Sequence, residues 1–314
     1  MQDVRLAVAQ FMPTSVDKEA NLAKIAELTA RGAESGAEIV CFQEQTIAGY
    51  SLWGLGDYHE RDGAGGVEEG RIPPDWTQRG AHPYELAEPV PDGPSTQRLI
   101  EIAAQHNVVV MAGLPELRRD NAVYNTYVIV SPRGYIGRYS KCHCVPGVEF
   151  AYFKQGNAFP VFDLGKLRVG ALICYDNHFP EAHRIYAING AHAIIMPHVT
   201  AGRGWWRDLP AKEAHQQAKN WVLTWLRARA FDNSVFAAFI NQAGGDDGSL
   251  GCSMVLNPDG DVIAECASTG EDVAVADLSA KQYYDIRRRS HDYLVHRRPE
   301  LYGDLTRTDV GEAL

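Results

Sequence analysis

The sequence predicts an α/β fold. Short apolar segments with the character of buried strands alternate with amphipathic segments of helical period, and turn-forming residues separate them. Polar residues also follow directly after several apolar segments, as they do where a sheet carries a site at the ends of its strands. We therefore expect a sheet-based protein in which the candidate site lies along one edge.

The first elements follow this alternation. A strand over 4–10 precedes a helix over 19–31, which has one apolar face, and the next apolar segment, 37–42, predicts a buried strand. After a long irregular stretch, a helix near 96–106 leads into a strand over 108–112.

The irregular stretch, 51–93, is longer than ordinary connections. It is rich in glycine and proline but also contains Trp53 and Trp76, so part of it is expected to pack. We interpret it as an insertion that contacts substrate or a neighbouring subunit, with a disordered excursion as the alternative.

The remaining elements are predicted from the same helix and strand periods. They are a hairpin of strands 124–130 and 135–139; a strand–helix–strand unit at 167–173, 180–189 and 193–197; a long helix at 212–231; strands at 235–241 and 272–276 with a hairpin turn at 257–260 between them; and a last helix that begins at Ser279. The length of 314 residues suits one large domain or two ordinary ones, and no break in composition favours two. We expect one domain over 1–285 and a tail, 286–314, that contacts another subunit.

Cys174 is the first candidate functional residue. It ends the apolar segment 167–173 and begins a polar turn that leads into a helix. Unpaired N–H groups and the helix dipole favour an anion at a helix amino end, which predicts a thiolate that forms more readily than that of a free cysteine. The alternative is a small core residue, the commoner role of an isolated cysteine.

Two further residues make chemical sense beside this thiol. Glu44 also follows a predicted buried strand, and Lys141 follows the hairpin 124–139, where a lysine is ordinarily solvated. For attack on a carbonyl or nitrile carbon, a carboxylate can take the thiol proton and return one to the leaving amine. A cation and backbone N–H groups can stabilise the oxyanion that develops.

The set Glu44, Lys141 and Cys174, in that chain order, resembles the catalytic triad of the nitrilase, or carbon–nitrogen hydrolase, superfamily. The segments around the three residues, Phe-Gln-Glu, Tyr-Ser-Lys-Cys-His and Leu-Ile-Cys-Tyr-Asp, each resemble one of its signature blocks. The strand 4–10, the segment 88–95 and residues 179–191 are also similar to the family pattern, so the resemblance covers most of the chain.

The resemblance implies a four-layer α-β-β-α sandwich, often in homo-oligomers, and a thioester route without a metal or organic cofactor. It implies that Glu44 is the general base and acid, Lys141 the oxyanion stabiliser and Cys174 the nucleophile, with the backbone N–H of Tyr175 as second oxyanion donor. Glu149 is expected to position substrate or to support the lysine; the alternative is a loop carboxylate in water.

The loop after the strand 193–197 lies at the same predicted sheet edge as Cys174. Further candidates for substrate contact lie there and beside the three signature residues, each with local hydrogen bonding as the plainer alternative. They are His143, Asn177, His178, His198, Thr200, Arg203 and Arg207.

The sequence indicates the substrate class less directly than it indicates the catalytic residues. Nitrilases usually have Trp-Glu after the cysteine, whereas this chain has Tyr175 and Asp176, which counts against nitriles. The run 174–181 and the segment 297–303 look most like the branch that hydrolyses N-carbamoyl amino acids, ureidopropionate or N-carbamoylputrescine. The chain departs from related N-carbamoyl-D-amino acid hydrolases at Asn177 and His178, where those carry paired arginines that can bind a carboxylate. A carboxamide amidase of the same mechanism is the alternative, with a catalytically idle oligomeric scaffold as a further one.

Composition limits the partners. Apolar residues make up 45% of the chain and charged residues 22%, and no apolar run reaches the ~18–20 residues that a membrane helix needs. The formal charge of −10 argues against nucleic acid as a partner. The resemblance implies a small-molecule substrate and a homo-oligomer, a dimer or a tetramer. A cytoplasmic location is expected because the amino-terminal segment lacks the basic-then-apolar layout of a secretory signal.

The six cysteines are scattered as free thiols would be in a reducing compartment. Cys142, His143 and Cys144 suggest zinc, but three consecutive side chains do not easily converge on one ion and no second pair stands at finger spacing. We therefore expect no metal site.

Overall fold

The computed structural model describes residues 1–49, 82–146, 149–200, 206, 208–244, 250–288 and 293–308. Within these ranges the strands form two six-stranded mixed sheets that face each other, and helices cover the outer face of each. This is the α/β class predicted from the sequence and the four-layer α-β-β-α arrangement expected from the resemblance.

The first sheet and its helices come mostly from the first half of the chain. Its strands are β1 (Val4–Gln10), β2 (Ile39–Cys41), β3 (Val109–Leu117), β4 (Val123–Ser131), β5 (Gly134–Ser140) and β12 (Asp272–Leu278). Their order is β12-β1-β2-β3-β4-β5; β1, β2 and β3 run parallel, and the outer pairs are antiparallel. The helices α1 (Lys18–Glu34) and α3 (Pro94–His106) pack on its outer face, and the short helix α2 (Pro83–Leu86) precedes α3.

The second sheet repeats this plan. Its strands are β6 (Phe162–Asp163), β7 (Arg168–Ala171), β8 (Ala193–His198), β9 (Phe236–Asn241), β10 (Met254–Leu256) and β11 (Val262–Glu265). Again three central strands, β7, β8 and β9, run parallel between antiparallel neighbours. The helices α4 (Pro180–Ile188) and α5 (Ala211–Asn233) cover its outer face, and α6 (Ala280–Arg288) follows β12.

Alternation along β1 shows how the layers are built. Val4, Leu6 and Val8 join the core between the two sheets, whereas Ala7 and Ala9 face the helices. Because successive side chains of a strand point to opposite faces, an almost wholly buried strand such as β1 must be apolar on both.

Most predicted elements are confirmed, with three differences. β3 extends to Leu117, beyond the predicted end at residue 112, because it continues to pair with β4 as far as Val123. The two-residue strand β6 was not predicted, since so short a segment has no period to recognise. The helix α2 lies inside the stretch 51–93 that was predicted to be irregular.

Residues 51–81 of that stretch, including Trp53 and Trp76, lie outside the described residues. The predicted tail, 286–314, begins inside α6, where Ile286 is buried. Its described residues 293–308 include two short 3-10 helices, Pro299–Leu301 and Gly303–Thr306, in which no residue is buried. None of the helices described in the structure has the length and apolarity needed to cross a bilayer.

Candidate active site

Glu44 lies just past β2, where its backbone is held against the neighbouring strands. The Tyr127 hydroxyl on β4 donates to the Phe42 carbonyl at 2.7 Å. Gly113 on β3 faces the next turn so closely that a Cβ there would come within 2.5 Å of the Gln45 nitrogen. The chain can therefore turn inward here, and the Glu44 side chain is fully buried.

The two carboxylate oxygens of Glu44 differ. Oε1 accepts hydrogen bonds from Lys141 Nζ at 2.9 Å and from Asn125 Nδ2 at 2.7 Å, whereas Oε2 has no hydrogen-bond partner among the described residues. Burial raises the pKa of Glu44 to about 7, although the charge of Lys141 and the Asn125 hydrogen bond act to lower it. A carboxylate with such a pKa and one unengaged oxygen is suited to exchange protons near neutral pH.

Lys141 follows β5 and is completely buried rather than solvated. Its ammonium lies 2.9 Å from Glu44 Oε1 and 2.8 Å from Glu149 Oε2. Burial acts to lower the pKa of Lys141, but the charges of Glu149 and Glu44 outweigh it and hold the pKa well above the usual value. The lysine is therefore a permanent cation inside the protein.

Glu149 is buried as well, and not in water. It also accepts from the Val145 backbone N–H at 2.7 Å and from Asn125 Nδ2 at 3.2 Å. Asn125, which the sequence reasoning did not single out, thus bridges both carboxylates, and its backbone carbonyl accepts from the Lys141 N–H at 2.9 Å. One buried asparagine on β4 holds the whole charged cluster.

Cys174 begins a five-residue 3-10 helix, Cys174–His178, and has a φ of 48°, a left-handed conformation that side chains rarely adopt. Such strain is often found at functional sites. The thiol lies within electrostatic range of Glu44 and Lys141, and the backbone N–H of Val199 acts to lower its pKa. The structure thus brings the three residues of the predicted triad together.

The structure contradicts the prediction that Cys174 forms a thiolate more readily than a free cysteine. Although Cys174 as a residue is partly exposed, burial raises the pKa of its thiol far above the ordinary value, and the charge of Glu44 adds to this. Lys141 and the Val199 N–H oppose the shift but do not cancel it. Because the helix is so short, its dipole is weak, and the resting group is a thiol that needs a base.

The turn after Cys174 is closed by Asp176, which is fully buried. Its oxygens accept from the Tyr139 hydroxyl at 2.7 Å, the Ile173 N–H at 3.0 Å, and the backbone N–H and Nδ1 of His143 at 2.8 and 2.7 Å. The His143 ring also stacks on Phe179 with a centroid distance of 4.0 Å. The predicted substrate contact at His143 is thus a ring whose Nδ1 and one face are already engaged.

Asn177 and His198 form a second buried pair behind the cysteine. Asn177 Nδ2 donates to the carbonyls of Leu172 and Cys174 and lies 2.9 Å from His198 Nε2. Burial lowers the pKa of His198 well below its usual value, so the ring is neutral; Nε2 accepts from Asn177, and Nδ1–H donates to Thr200 Oγ1 at 3.2 Å. These three predicted contact residues form one hydrogen-bonded network that supports the cysteine backbone.

His178 belongs to an aromatic wall beside the turn, made of Tyr175, His178, Trp206, Trp221 and Trp225. Its ring lies 5.3 Å from Trp221, 5.4 Å from Trp225 and 5.6 Å from Tyr175, and Trp206 lies 6.4 Å from Trp221. Burial and the nearby charges of Arg229 and Lys141 lower the pKa of His178. Arg203 and Arg207, the other predicted contacts, lie outside the described residues.

The side chains of Cys142, His143 and Cys144 do not converge on a common point. The Cys142 thiol donates toward the Ala158 carbonyl, His143 pairs with Asp176, and the Cys144 thiol donates toward the Phe153 carbonyl. No group of three or more His, Cys, Asp or Glu side chains in the part of the chain that the structure describes is arranged to hold a metal ion. All six cysteines are free thiols.

Comparisons with known proteins agree with this geometry. Residues 5–288 match the carbon-nitrogen hydrolase family model. A nitrilase from Pyrococcus abyssi is 28% identical over 95% of this chain and 99% of its own, and an (R)-stereoselective amidase from Pseudomonas sp. is 36% identical over 72% and 77%. An omega-amidase from Bos taurus is 29% identical over 92% of this chain and 93% of its own.

Solved structures show the same fold. An amidase from Nesterenkonia sp. superposes with a TM-score of 0.71 at 23% identity, covering 96% of each chain. Nit3 from Saccharomyces cerevisiae gives a TM-score of 0.73 at 23% identity, covering 92% of this chain and 95% of its own. The chain belongs to the carbon-nitrogen hydrolase family of the nitrilase superfamily and is a hydrolase of carbon–nitrogen bonds.

Proposed function

We propose that the protein hydrolyses the terminal carboxamide of a small molecule through a thioester on Cys174. The observation that carries this proposal is the buried Glu44 near a thiol that needs a base. The pKa of Glu44 is about 7, and its Oε2 has no hydrogen-bond partner within the part of the chain that the structure describes. No single member of the cluster would suffice, since the chemistry needs a nucleophile, a proton carrier and a fixed positive charge together.

In the first half of the reaction, Glu44 takes the Cys174 proton as the sulfur attacks the carbonyl carbon. The oxyanion is stabilised by the Lys141 ammonium and the Tyr175 backbone N–H. As the tetrahedral intermediate collapses, the C–N bond breaks, and Glu44 returns the proton to the leaving ammonia.

In the second half, a water molecule enters the position that ammonia has left. Glu44 takes its proton, the hydroxide attacks the thioester carbonyl, and the C–S bond breaks to release the carboxylic acid. Cys174 recovers the proton, which restores the resting enzyme. Glu149 takes no part in proton transfer in this proposal; with Asn125, it holds Lys141 in place.

The names of similar proteins support an amide as substrate. Two of the relatives above are amidases, and the Nesterenkonia amidase has been crystallised, as variants, with butyramide and with the acetamide moiety of fluoroacetamide covalently added at its active-site cysteine. The acyl side of our proposed substrate is apolar, because the aromatic wall borders the Cys174 turn.

An N-carbamoyl compound is the second candidate, favoured by the run 174–181 and by the segment 297–303. It presents the same H₂N–C(=O) group, so the same attack would expel ammonia and leave a thiocarbamate. Arg229 reaches this region, donating to the carbonyls of Asn177 and His178 at 3.3 Å, but its described hydrogen bonds are to backbone rather than toward a ligand.

A substrate panel tests the proposal and separates the two candidates. The protein and its Cys174→Ala variant would be incubated with aliphatic and aryl-linked carboxamides, N-carbamoyl amino acids, N-carbamoyl amines and nitriles, while ammonia and carbon dioxide are measured together. Ammonia alone from carboxamides, lost in the variant, supports the proposal. Both gases from N-carbamoyl compounds would move the assignment to the second candidate, and unchanged activity in the variant would overturn the mechanism.

A further inference from the structure

Lys141 and Cys174 come from different sheets, so their separation is not set by any one strand. Lys141 follows β5 in the first sheet, and Cys174 follows β7 in the second. Stabilising an oxyanion requires the cation to sit at a fixed distance from the carbon that the sulfur attacks. Some contact between the two loops must therefore fix that distance.

Asp176 makes this contact. It accepts from the side chain of Tyr139 and from the backbone and ring of His143, which lie two positions before and two positions after Lys141. The same carboxylate accepts from the N–H of Ile173, the residue before Cys174. All four hydrogen bonds are between 2.7 and 3.0 Å, and Asp176 has no exposed surface.

The Ile173 bond has an additional effect on the nucleophile. Cys174 has the left-handed φ of 48°, and Asp176 closes the turn on its far side by bonding back across it. A strained residue keeps its conformation only where surrounding contacts over-determine it. The carboxylate therefore holds the cysteine turn in shape as well as linking it to the lysine loop.

We propose that Asp176 is a positioning residue for catalysis, which fixes the Lys141 ammonium relative to the Cys174 sulfur by bonding to the neighbours of both. This inference rests on the proposed function of those two residues. His143 contributes two of the four hydrogen bonds that the Asp176 carboxylate accepts, which gives His143 a role in this arrangement. We call Asp176 with its four donors the clamp. Asp176 itself transfers no proton.

The test is Asp176→Asn, which keeps the shape but replaces an acceptor oxygen with an NH₂ group that faces N–H donors. A displacement of the Lys141 ammonium relative to the Cys174 sulfur weakens the stabilisation of the oxyanion in the transition state. We therefore expect kcat to fall by about 100-fold. KM is expected to stay within about threefold, because ground-state binding does not use this distance.

Glu88→Gln is the matched control. Glu88 is also a buried carboxylate, accepting from the Ser95 N–H and hydroxyl at 2.8 Å each and from Lys18 at 2.5 Å, but it lies on the helix side of the first sheet. Both variants are expected to lower the thermal midpoint, and only Asp176→Asn to lower kcat. Equal kcat values for Asp176→Asn and the wild type, at equal folded fraction, would overturn the inference.

A second readout does not depend on the substrate. The rate at which iodoacetamide alkylates Cys174, followed by mass spectrometry against pH, reports the thiolate that Lys141 helps to stabilise. In Asp176→Asn this profile should move to higher pH, even if no compound of the panel is hydrolysed; an unchanged profile would count against the clamp.

If Asp176→Asn does not fold, Tyr139→Phe decides the question, because it removes one of the four donors and keeps the ring. A lower kcat with unchanged KM would support the clamp, and wild-type kcat would overturn it.

Discussion

At the scale of the residue, the pKa of Glu44 predicts how activity depends on pH. A base must be ionised to accept a proton, and burial raises the pKa of Glu44 to about 7. We therefore expect kcat/KM to rise with pH through about 7 and to be lost toward acid, as a pH profile of ammonia release would show. An acidic limb at 4.5, the ordinary value, would contradict this role.

Glu44→Gln is expected to remove the base but to keep the site. The amide is close in shape, yet it cannot accept the thiol proton, so kcat should fall by about 100-fold or more. Alkylation of Cys174 at high pH should persist, because hydroxide can then ionise the thiol. Normal turnover in this variant would show that another group is the base.

Asn125 tunes the same carboxylate. Its Nδ2 donates to Glu44 Oε1 and thereby lowers the pKa of Glu44. In Asn125→Ala that pKa should rise, so the acidic limb of the pH profile should move to higher pH. Asn21→Ala is the control, since the side-chain hydrogen bonds of the buried Asn21 among the described residues are to backbone groups of Thr14 and Ile47. It should lower stability and leave the limb in place.

At the scale of the element, the contact of β3 with the Glu44 turn is expected to matter more for activity than for stability. In Gly113→Ala the new methyl would meet the Gln45 nitrogen at 2.5 Å and push the Glu44 backbone away, which should lower kcat. Gly170→Ala on β7 is the comparison, because its methyl would meet the Tyr186 ring instead. Both should lose about 1–3 kcal/mol of stability in thermal unfolding. A larger loss of kcat in Gly170→Ala than in Gly113→Ala would contradict this reading.

Helices and strands with a clear hydrophobic period could be predicted from the sequence, whereas the contacts between these elements could not. The placement of Glu44 and Cys174 just past apolar strands could be read locally, because each strand carries its own pattern. Asn125 could not be assigned to the site in this way, since its partners Glu44 and Glu149 are 81 and 24 positions away. The available signal, an asparagine within the predicted strand, was weak because the neighbouring Thr126 is also polar. Neither the left-handed φ of Cys174 nor the direction of its pKa shift is encoded in a local pattern.

At the scale of the whole molecule, we expect a homo-oligomer formed through the outer helices of the second sheet. Several large apolar side chains are exposed on α4, α5 and the tail, and the Tyr293 ring lies 5.7 Å from that of Phe231, which joins the tail to α5. They are Ile185, Ile188, Phe231, Val295, Leu301 and Leu305. An apolar surface of this kind commonly marks a contact with another protein.

Ile188→Asp tests this expectation. Ile188 is 50% exposed, so a charge there should be tolerated by the fold but not by a subunit interface, and the mass measured by light scattering should fall to that of a monomer. Val16→Asp, at a residue 37% exposed before α1, should leave the mass unchanged. A monomeric wild type, or an Ile188→Asp variant with the mass of the wild type, would contradict the expectation.

Because the site is divided between the two sheets, the activity of the enzyme depends on how the sheets pack against each other. The carboxylate and the ammonium belong to one sheet, and the sulfur and the Val199 N–H to the other. Neither sheet by itself therefore carries the thiol together with its base and its cation. Any ligand, partner or substitution that loosens the packing of the two sheets on each other would therefore lower activity without touching a reacting atom.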